Sequence, residues 1–100
     1  MHASLVIIPT YNESENVAEM IRAVLALPEA FDLLILDDNS PDGTAEIVRT
    51  LQQEPDHTDR LHLIVRPGKM GLGTAYLTGF EWALEHGYNY IFEMDCDFCL

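Results

Sequence analysis

Four short apolar runs alternate with three segments of helical period along this chain, and that alternation leaves few architectures open. Ser4 to Pro9, Asp32 to Asp37, Leu61 to Arg66 and Tyr90 to Met94 have the length and apolar content of buried strands. The segments between them are long enough to carry a crossover helix, so each strand–helix–strand unit predicts a parallel pair. The expected fold is therefore α/β, a parallel sheet of about four strands with alternating helices. With 100 residues the chain makes one domain at most, and no internal repeat or interdomain linker interrupts it.

The helical segments have readable faces. Val17, Met20, Ile21, Val24 and Leu25 recur at helical spacing and bury one stripe, with Asn12 or Ser14 as the expected cap and Pro28 as the stop. A second helix is expected after Asp42 as N-cap, turning Ile47, Val48 and Leu51 inward and ending near Pro55. The third is expected from about Gly73, with Leu77, Phe80 and Leu84 on one apolar face, closing at Gly87 in a left-handed conformation. The polar stretch Glu54 to Arg60 is the expected flexible loop.

Composition excludes several classes of function. A formal charge of −12, from 17 acidic and 5 basic residues, gives no cationic surface for a phosphate backbone, so a nucleic-acid partner is not expected. The longest apolar runs fall far short of the ~20 residues that span a bilayer, and the amino terminus has no basic region ahead of its apolar run. The expected location is the cytoplasm or the cytosolic face of a membrane. Cys96 and Cys99 make no disulfide framework.

In a parallel α/β sheet, ligands gather at the carboxyl ends of the strands, where strand order reverses. The residues of unusual chemistry fall there. They are Pro9 to Glu13, Asp37 to Gly43, Arg66 to Gly73, and Asp95 and Asp97. Two strands ending in Asp37-Asp38 and Asp95-x-Asp97 bring up to four carboxylates to one rim, which a hard divalent ion such as Mg²⁺ or Mn²⁺ would compensate. The alternative is that each aspartate caps a helix or closes a turn, which is the preferred reading for Asp42.

The glycines between Gly68 and Gly73 match neither the P-loop nor the dinucleotide fingerprint, and serve better as a sharp entry to the third helix, with Lys69 as a candidate phosphate contact. The Cys-x-x-Cys lacks two further zinc ligands, the four histidines have no metal spacing, and no Gly-x-Ser-x-Gly marks a nucleophilic hydrolase. Tyr76 and Trp82 are expected to pack rather than to bind.

Taken together, "VIIPTYNESENV", "LDDNSPDGTA", "RPGKMGLGTAYLTGF" and "YIFEMDCDF" resemble, in order and rough spacing, the amino-terminal half of family 2 glycosyltransferases with the GT-A fold. The dolichol-phosphate and other polyprenol-phosphate mannosyltransferases are the most similar branch. The resemblance runs from Leu5 to Phe98. It implies a Rossmann-like nucleotide-binding half, truncated after the Asp-x-Asp, in which Pro9, Tyr11 and Glu13 line the nucleotide and Leu36 and Asp38 stand beside the base and ribose. It also implies that Asp95 and Asp97 bind Mg²⁺ or Mn²⁺, that Asp97 is catalytic, and that the backbone at Cys96 touches the nucleotide. The implied reaction is inverting transfer of mannose from GDP-mannose to a dolichyl or polyprenyl phosphate, which would bring peripheral membrane association. Cys99 and Leu100 depart from the family pattern, which has a further polar ligand and a histidine there. The family's later half supplies the acceptor loop and the basic residues for the lipid phosphate, so this stretch alone is expected to bind nucleotide at most. A catalytically inactive nucleotide-binding module, or a remnant that hardly folds, are the competing readings, and another nucleotide-sugar is the alternative donor to polyprenyl phosphate.

Overall fold

The computed structural model describes residues 3–68 and 71–95. Its elements run β1 (Ser4–Thr10), α1 (Val17–Leu25), β2 (Phe31–Asp37), α2 (Thr44–Gln52), β3 (Leu61–Val65), α3 (Leu72–Glu85) and β4 (Tyr90–Glu93). The four strands form one sheet in the order β3-β2-β1-β4, every pair parallel, as the alternation of patterns requires. Lys69 and Cys96 to Leu100 lie outside the described residues.

Topology follows from chirality. Strand crossovers are right-handed, so a helix changes face when the path along the sheet reverses direction. From β1 through β2 to β3 the path runs one way, and α1 and α2 share one face with Val6, Ile8, Leu33 and Ile35. From β3 the chain returns past β1 to β4, which places α3 on the other face with Leu5, Ile7, Leu34 and Leu36. The register Val6↔Leu33 and Ile7↔Leu34 keeps these two sets apart, and both faces are covered over β1 and β2. That double coverage is why those strands read as continuous apolar runs rather than alternating ones.

Three local expectations are corrected. First, neither Asn12 nor Ser14 caps α1: Asn16 is the N-cap residue and makes no side-chain cap bond, because a tight turn through Glu13 already leads the chain in. Second, Asp42 is one residue outside the cap of α2, which is Gly43 at φ 88°. Its carboxylate still accepts the Thr44 N–H at 3.1 Å and the Thr44 hydroxyl at 2.5 Å, so it serves the helix start from the preceding position.

The third correction concerns α3. Its inward face is Ala75, Gly79 and Ala83, at intervals of four, with Phe80 half-buried beside them; Leu77 and Leu84 are 61% and 71% exposed. Close approach explains the inversion. A Cβ at Gly79 would lie 2.8 Å from Ile7 Cδ1, 2.9 Å from Ile7 Cγ2 and 3.1 Å from Leu36 Cδ1, so the helix sits nearer to the sheet than a larger residue permits. The C-terminus behaves as expected: Gly87 takes φ 78°, and the N–H groups of Gly87 and Tyr88 close back on the carbonyls of Leu84 and Ala83.

The polar stretch before β3 is fastened rather than loose. Arg60 donates to the carbonyls of Leu25 at 3.2 Å and Phe31 at 2.7 Å, tying the end of α1 to the starts of β2 and β3. At the same end of the sheet, His62 and His86 flank Trp82, and the Tyr88 hydroxyl donates to the fully buried Asp32 at 2.7 Å. Desolvation holds His62 below its ordinary pKa, although Asp32 opposes it. Burial and the Asp32 bond push the Tyr88 phenol well up.

Candidate functional site: the rim at the carboxyl ends of the strands

Strand order reverses between β2 and β4, with β1 at the pivot, and such a reversal is where an open α/β sheet forms its ligand cleft. Among the described residues the last β1–β4 pair is Ile7↔Glu93, and the Ile7 carbonyl accepts the Met94 N–H at 3.0 Å. Pro9 has the same parity as Ile7 and so faces β4 beyond that last pair. Having no N–H, it leaves no orphan donor on that side of the strand. This is the crevice in which a doubly wound sheet receives its ligand.

The loops after β1 and β2 form the cleft's floor and are tied to one another. Each turns through an asparagine with positive φ, Asn12 at 56° and Asn39 at 54°, a conformation that asparagine accepts more readily than most residues. The N–H groups of Asn12, Glu13 and Ser14 donate to Ser40 Oγ at 2.9 Å, Thr44 Oγ1 at 3.0 Å and Asp42 Oδ2 at 3.1 Å. Bonds to Asp42 itself, from the Thr44 hydroxyl first and then from Ser14 and the Thr44 N–H, pull its pKa down to about 2 against the opposing effect of desolvation. Asp37 is fully buried and accepts from the hydroxyls of Thr10 at 2.7 Å and Ser40 at 2.6 Å, and from the Ser40 N–H at 2.9 Å. Asp37 is thus a structural clamp, and the turn-closing alternative is the correct one for both Asp37 and Asp42.

Asp38 differs. Its two carboxylate oxygens receive Arg66 Nε at 2.6 Å and Nη2 at 2.9 Å, a bidentate pair in which the residues are 7% and 6% exposed. Arg66 also donates to Thr74 Oγ1 at 3.1 Å and to the Gly71 carbonyl at 3.2 Å, so one guanidinium joins the end of β2 to the entry of α3. Sequence reasoning placed Arg66 on the rim without giving it a role. The available signal was its position, one of only 5 basic residues, immediately after a strand and facing an Asp-Asp.

The other expected site residues divide. Tyr11 is 37% exposed at the tip of the β1 loop, and Glu13 is half-buried with its carboxylate taking the Asn16 side-chain N–H at 3.2 Å. The Leu36 side chain does not reach the rim at all. It is 0% exposed in the core beneath α3, because its parity in β2 turns it to that face, so a ligand in the cleft could meet only its main chain.

Asp95 stands exposed just beyond β4, on the opposite wall of the cleft from Asp38, and its Oδ1 accepts the Tyr76 hydroxyl at 3.4 Å. Burial, Asp95 and Glu93 all push the Tyr76 phenol up. Cys96 and Asp97 fall outside the described residues. Among the described residues no three His, Cys, Asp or Glu side chains converge as a complete metal shell. Mg²⁺ and Mn²⁺ sites that bind nucleotides seldom need one, since one or two carboxylates suffice when diphosphate oxygens and water complete the coordination. An exposed, hard carboxylate at the switch point fits that requirement.

Comparison with known proteins agrees with this geometry. The family model described as glycosyl transferase family 2 matches residues 5–100. The chain is 45% identical over 95 residues to polyprenol monophosphomannose synthase of Mycolicibacterium smegmatis, covering 94% of this chain and 35% of that protein. It is 46% identical over 94 residues to undecaprenyl-phosphate mannosyltransferase of Micrococcus luteus, covering 93% of this chain and 37% of that one. The chain therefore spans about a third of the length of these curated relatives.

Among solved structures, a mannosyltransferase from Pyrobaculum calidifontis in complex with GDP-Man and Mn²⁺ superposes with a TM-score of 0.73 at 27% identity, over 81% of this chain and 24% of that one. S. aureus TarS in complex with UDP superposes at 0.80 and 21% identity, over 96% and 28%, a likeness of fold alone. A four-stranded parallel sheet of Rossmann type, the rim motifs in order, and a family match from Leu5 to the last residue lead to one assignment: the chain belongs to glycosyltransferase family 2.

Proposed function

We infer that this chain is the nucleotide-sugar-binding part of a mannosyltransferase that uses GDP-mannose and a polyprenyl or dolichyl phosphate. The observation that carries the reading is the 45–46% identity, over more than nine-tenths of the chain, to two proteins named for mannosyl transfer to polyprenyl phosphate. The donor is taken from the GDP-Man complex of the P. calidifontis neighbour. On this reading the nucleotide occupies the cleft beside β1, against Pro9, Tyr11, Glu13, the main chain of Leu36 and the backbone at Cys96. Its base and ribose meet the Asp38–Arg66 pair rather than a bare carboxylate.

Asp95 and Asp97 would hold Mg²⁺ or Mn²⁺, which supplies Lewis-acid stabilisation of the diphosphate charge that grows as the sugar leaves. The acceptor phosphate is already an anion, so the chain needs no strong general base. Its tasks are to orient the donor and keep the diphosphate in place, with Asp97 as the residue on which turnover depends. A lipid-phosphate acceptor would bring the protein to a membrane surface, facing the cytoplasm where this reading places the donor. No helix among the described residues is long and apolar enough to cross a membrane.

A second reading, nucleotide binding without turnover, has its own support. Each described arginine has partners of its own: Arg22 with Glu54, Arg49 with Glu46, Arg60 with two carbonyls and Arg66 with Asp38. The cations that would hold an acceptor phosphate are not supplied by these residues, and the relatives carry nearly twice as much further sequence in which to place them. Calorimetric titration with GDP, with and without Mn²⁺, followed by an assay of mannose transfer to polyprenyl phosphate, tests both. Mn²⁺-strengthened GDP binding with transfer supports the first reading, and such binding without transfer supports the second. A folded chain that gives no heat with GDP and Mn²⁺ refutes both.

A further inference from the structure

Among the described residues, the last backbone bond from the β4 end to β1 is that of the Met94 N–H, one residue before the carboxylate that the site requires. A side chain from a different element also reaches Asp95. Tyr76 lies on the second turn of α3, on the face that packs against the sheet, and its ring joins the cluster of Leu5, Ile7, Leu36 and Ala75. The ring is thereby fixed by the core while its hydroxyl emerges at the rim and donates to Asp95 Oδ1 at 3.4 Å.

We propose that Tyr76 is a positioning residue for Asp95: its phenol fixes the carboxylate of the first aspartate of the Asp-x-Asp, so that the remaining oxygen lone pairs are aimed at the ligand. The inference deepens the metal-assisted reading above and rests on it. The division of labour is physical. An exposed aspartate on a strand end samples several rotamers, and each must be frozen when a cation binds. A donor to one oxygen removes part of that cost beforehand, and it leaves the other oxygen and the second lone pair of Oδ1 for coordination. The same hydroxyl couples α3, whose first turn is held by Arg66, to the opposite wall of the cleft.

A merely packed Tyr76 predicts something different, because Tyr76→Phe keeps the ring and removes only the hydroxyl. The experiment is calorimetric titration of GDP, with and without Mn²⁺, into the wild type, Tyr76→Phe, Asp95→Asn and the double variant. It is joined by amide nitrogen relaxation of the Asp95 backbone without ligand. In Tyr76→Phe, Mn²⁺-supported binding should weaken by about tenfold, the loss seen when an outer partner of a metal ligand is removed. GDP binding without Mn²⁺ and thermal stability should stay nearly unchanged, and Asp95 should become more mobile. In the Asp95→Asn background the same change should have little further effect, since the interaction it removes has already been altered. Unchanged Mn²⁺-supported binding in Tyr76→Phe overturns the proposal, as does an equal loss with and without Mn²⁺. A wild type that binds GDP no better with Mn²⁺ sinks the metal reading itself, and is told apart because it appears before any variant is made.

Discussion

Arg66→Met is the most informative substitution for the architecture of the rim. It keeps the aliphatic stem and removes the guanidinium, so Asp38 loses two charge-assisted bonds of 2.6 and 2.9 Å, while Gly71 and Thr74 each lose a donor. The Arg66 and Asp38 side chains are 6% and 10% exposed, so solvent cannot easily replace the lost partners. Breaking such a buried pair from one side costs roughly 3–5 kcal/mol, whereas an exposed pair is worth 1 kcal/mol or less, on the order of what screening leaves. Asp38 stands near the rim, where a small backbone shift admits water, so the lower end applies, about 3 kcal/mol. For a domain of this size that lowers Tm by on the order of 12 °C or more, against a total stability of only ~5–15 kcal/mol.

Urea unfolding followed by far-ultraviolet circular dichroism measures the loss, with the denaturant slope showing whether the unfolding unit has changed. The double variant Arg66→Met/Asp38→Leu should recover much of it, because replacing both members with apolar groups removes the stranded charge. A loss below about 1 kcal/mol for Arg66→Met at an unchanged slope would refute the reasoning, since the pair would then be behaving as a screened surface contact.

Three further outcomes follow from the same geometry. Asp42 has its folded pKa lowered from 3.8 to about 2, so the stability it contributes is present above the higher value and lost as pH falls through the lower one; the wild type should lose more stability than Asp42→Asn between about pH 4 and pH 2. Gly79→Ala should destabilise by roughly 1–2 kcal/mol in the same unfolding assay, because overpacking against Ile7 and Leu36 outweighs the ~1 kcal/mol that alanine gains in a helix. Leu84→Gln should cost under about 0.5 kcal/mol, as for other exposed positions, whereas a loss above about 2 kcal/mol would mean that α3 faces the other way.

The sequence showed where the elements lie more clearly than which way they face. Strand positions were legible because a strand buried on both faces leaves an uninterrupted apolar run, and β1 and β2 are such strands. The face of α1 was legible because only one stripe of it is apolar. In α3 two stripes compete: Leu77, Phe80 and Leu84 have the size of a core stripe, while Ala75, Gly79 and Ala83 are small. Size favoured the leucines, but distance decided for the small residues, and the mid-helix glycine was the clue to that distance. At the rim, the set of residues could be read but not the pairing among them. Asp37, Asp38 and Asp42 look alike in sequence, yet one is a clamp, one is in an ion pair and one serves a helix start, because partners up to 28 residues away decide which is which.

The one tryptophan gives the molecule an unplanned optical property. Trp82 lies at the end of the sheet opposite the cleft, with the imidazole of His86 stacked on it at 3.9 Å and that of His62 tilted against it at 4.9 Å. A protonated imidazole in contact with an indole quenches its emission, so the intrinsic fluorescence of this protein should dim on acidification as His62, held below its ordinary pKa by desolvation, takes up its proton. A nucleotide arriving at the far rim should leave that signal almost untouched. The indole is thus a proton gauge and a reporter of the sheet's lower end, and a flat fluorescence titration with GDP says nothing against occupancy of the cleft.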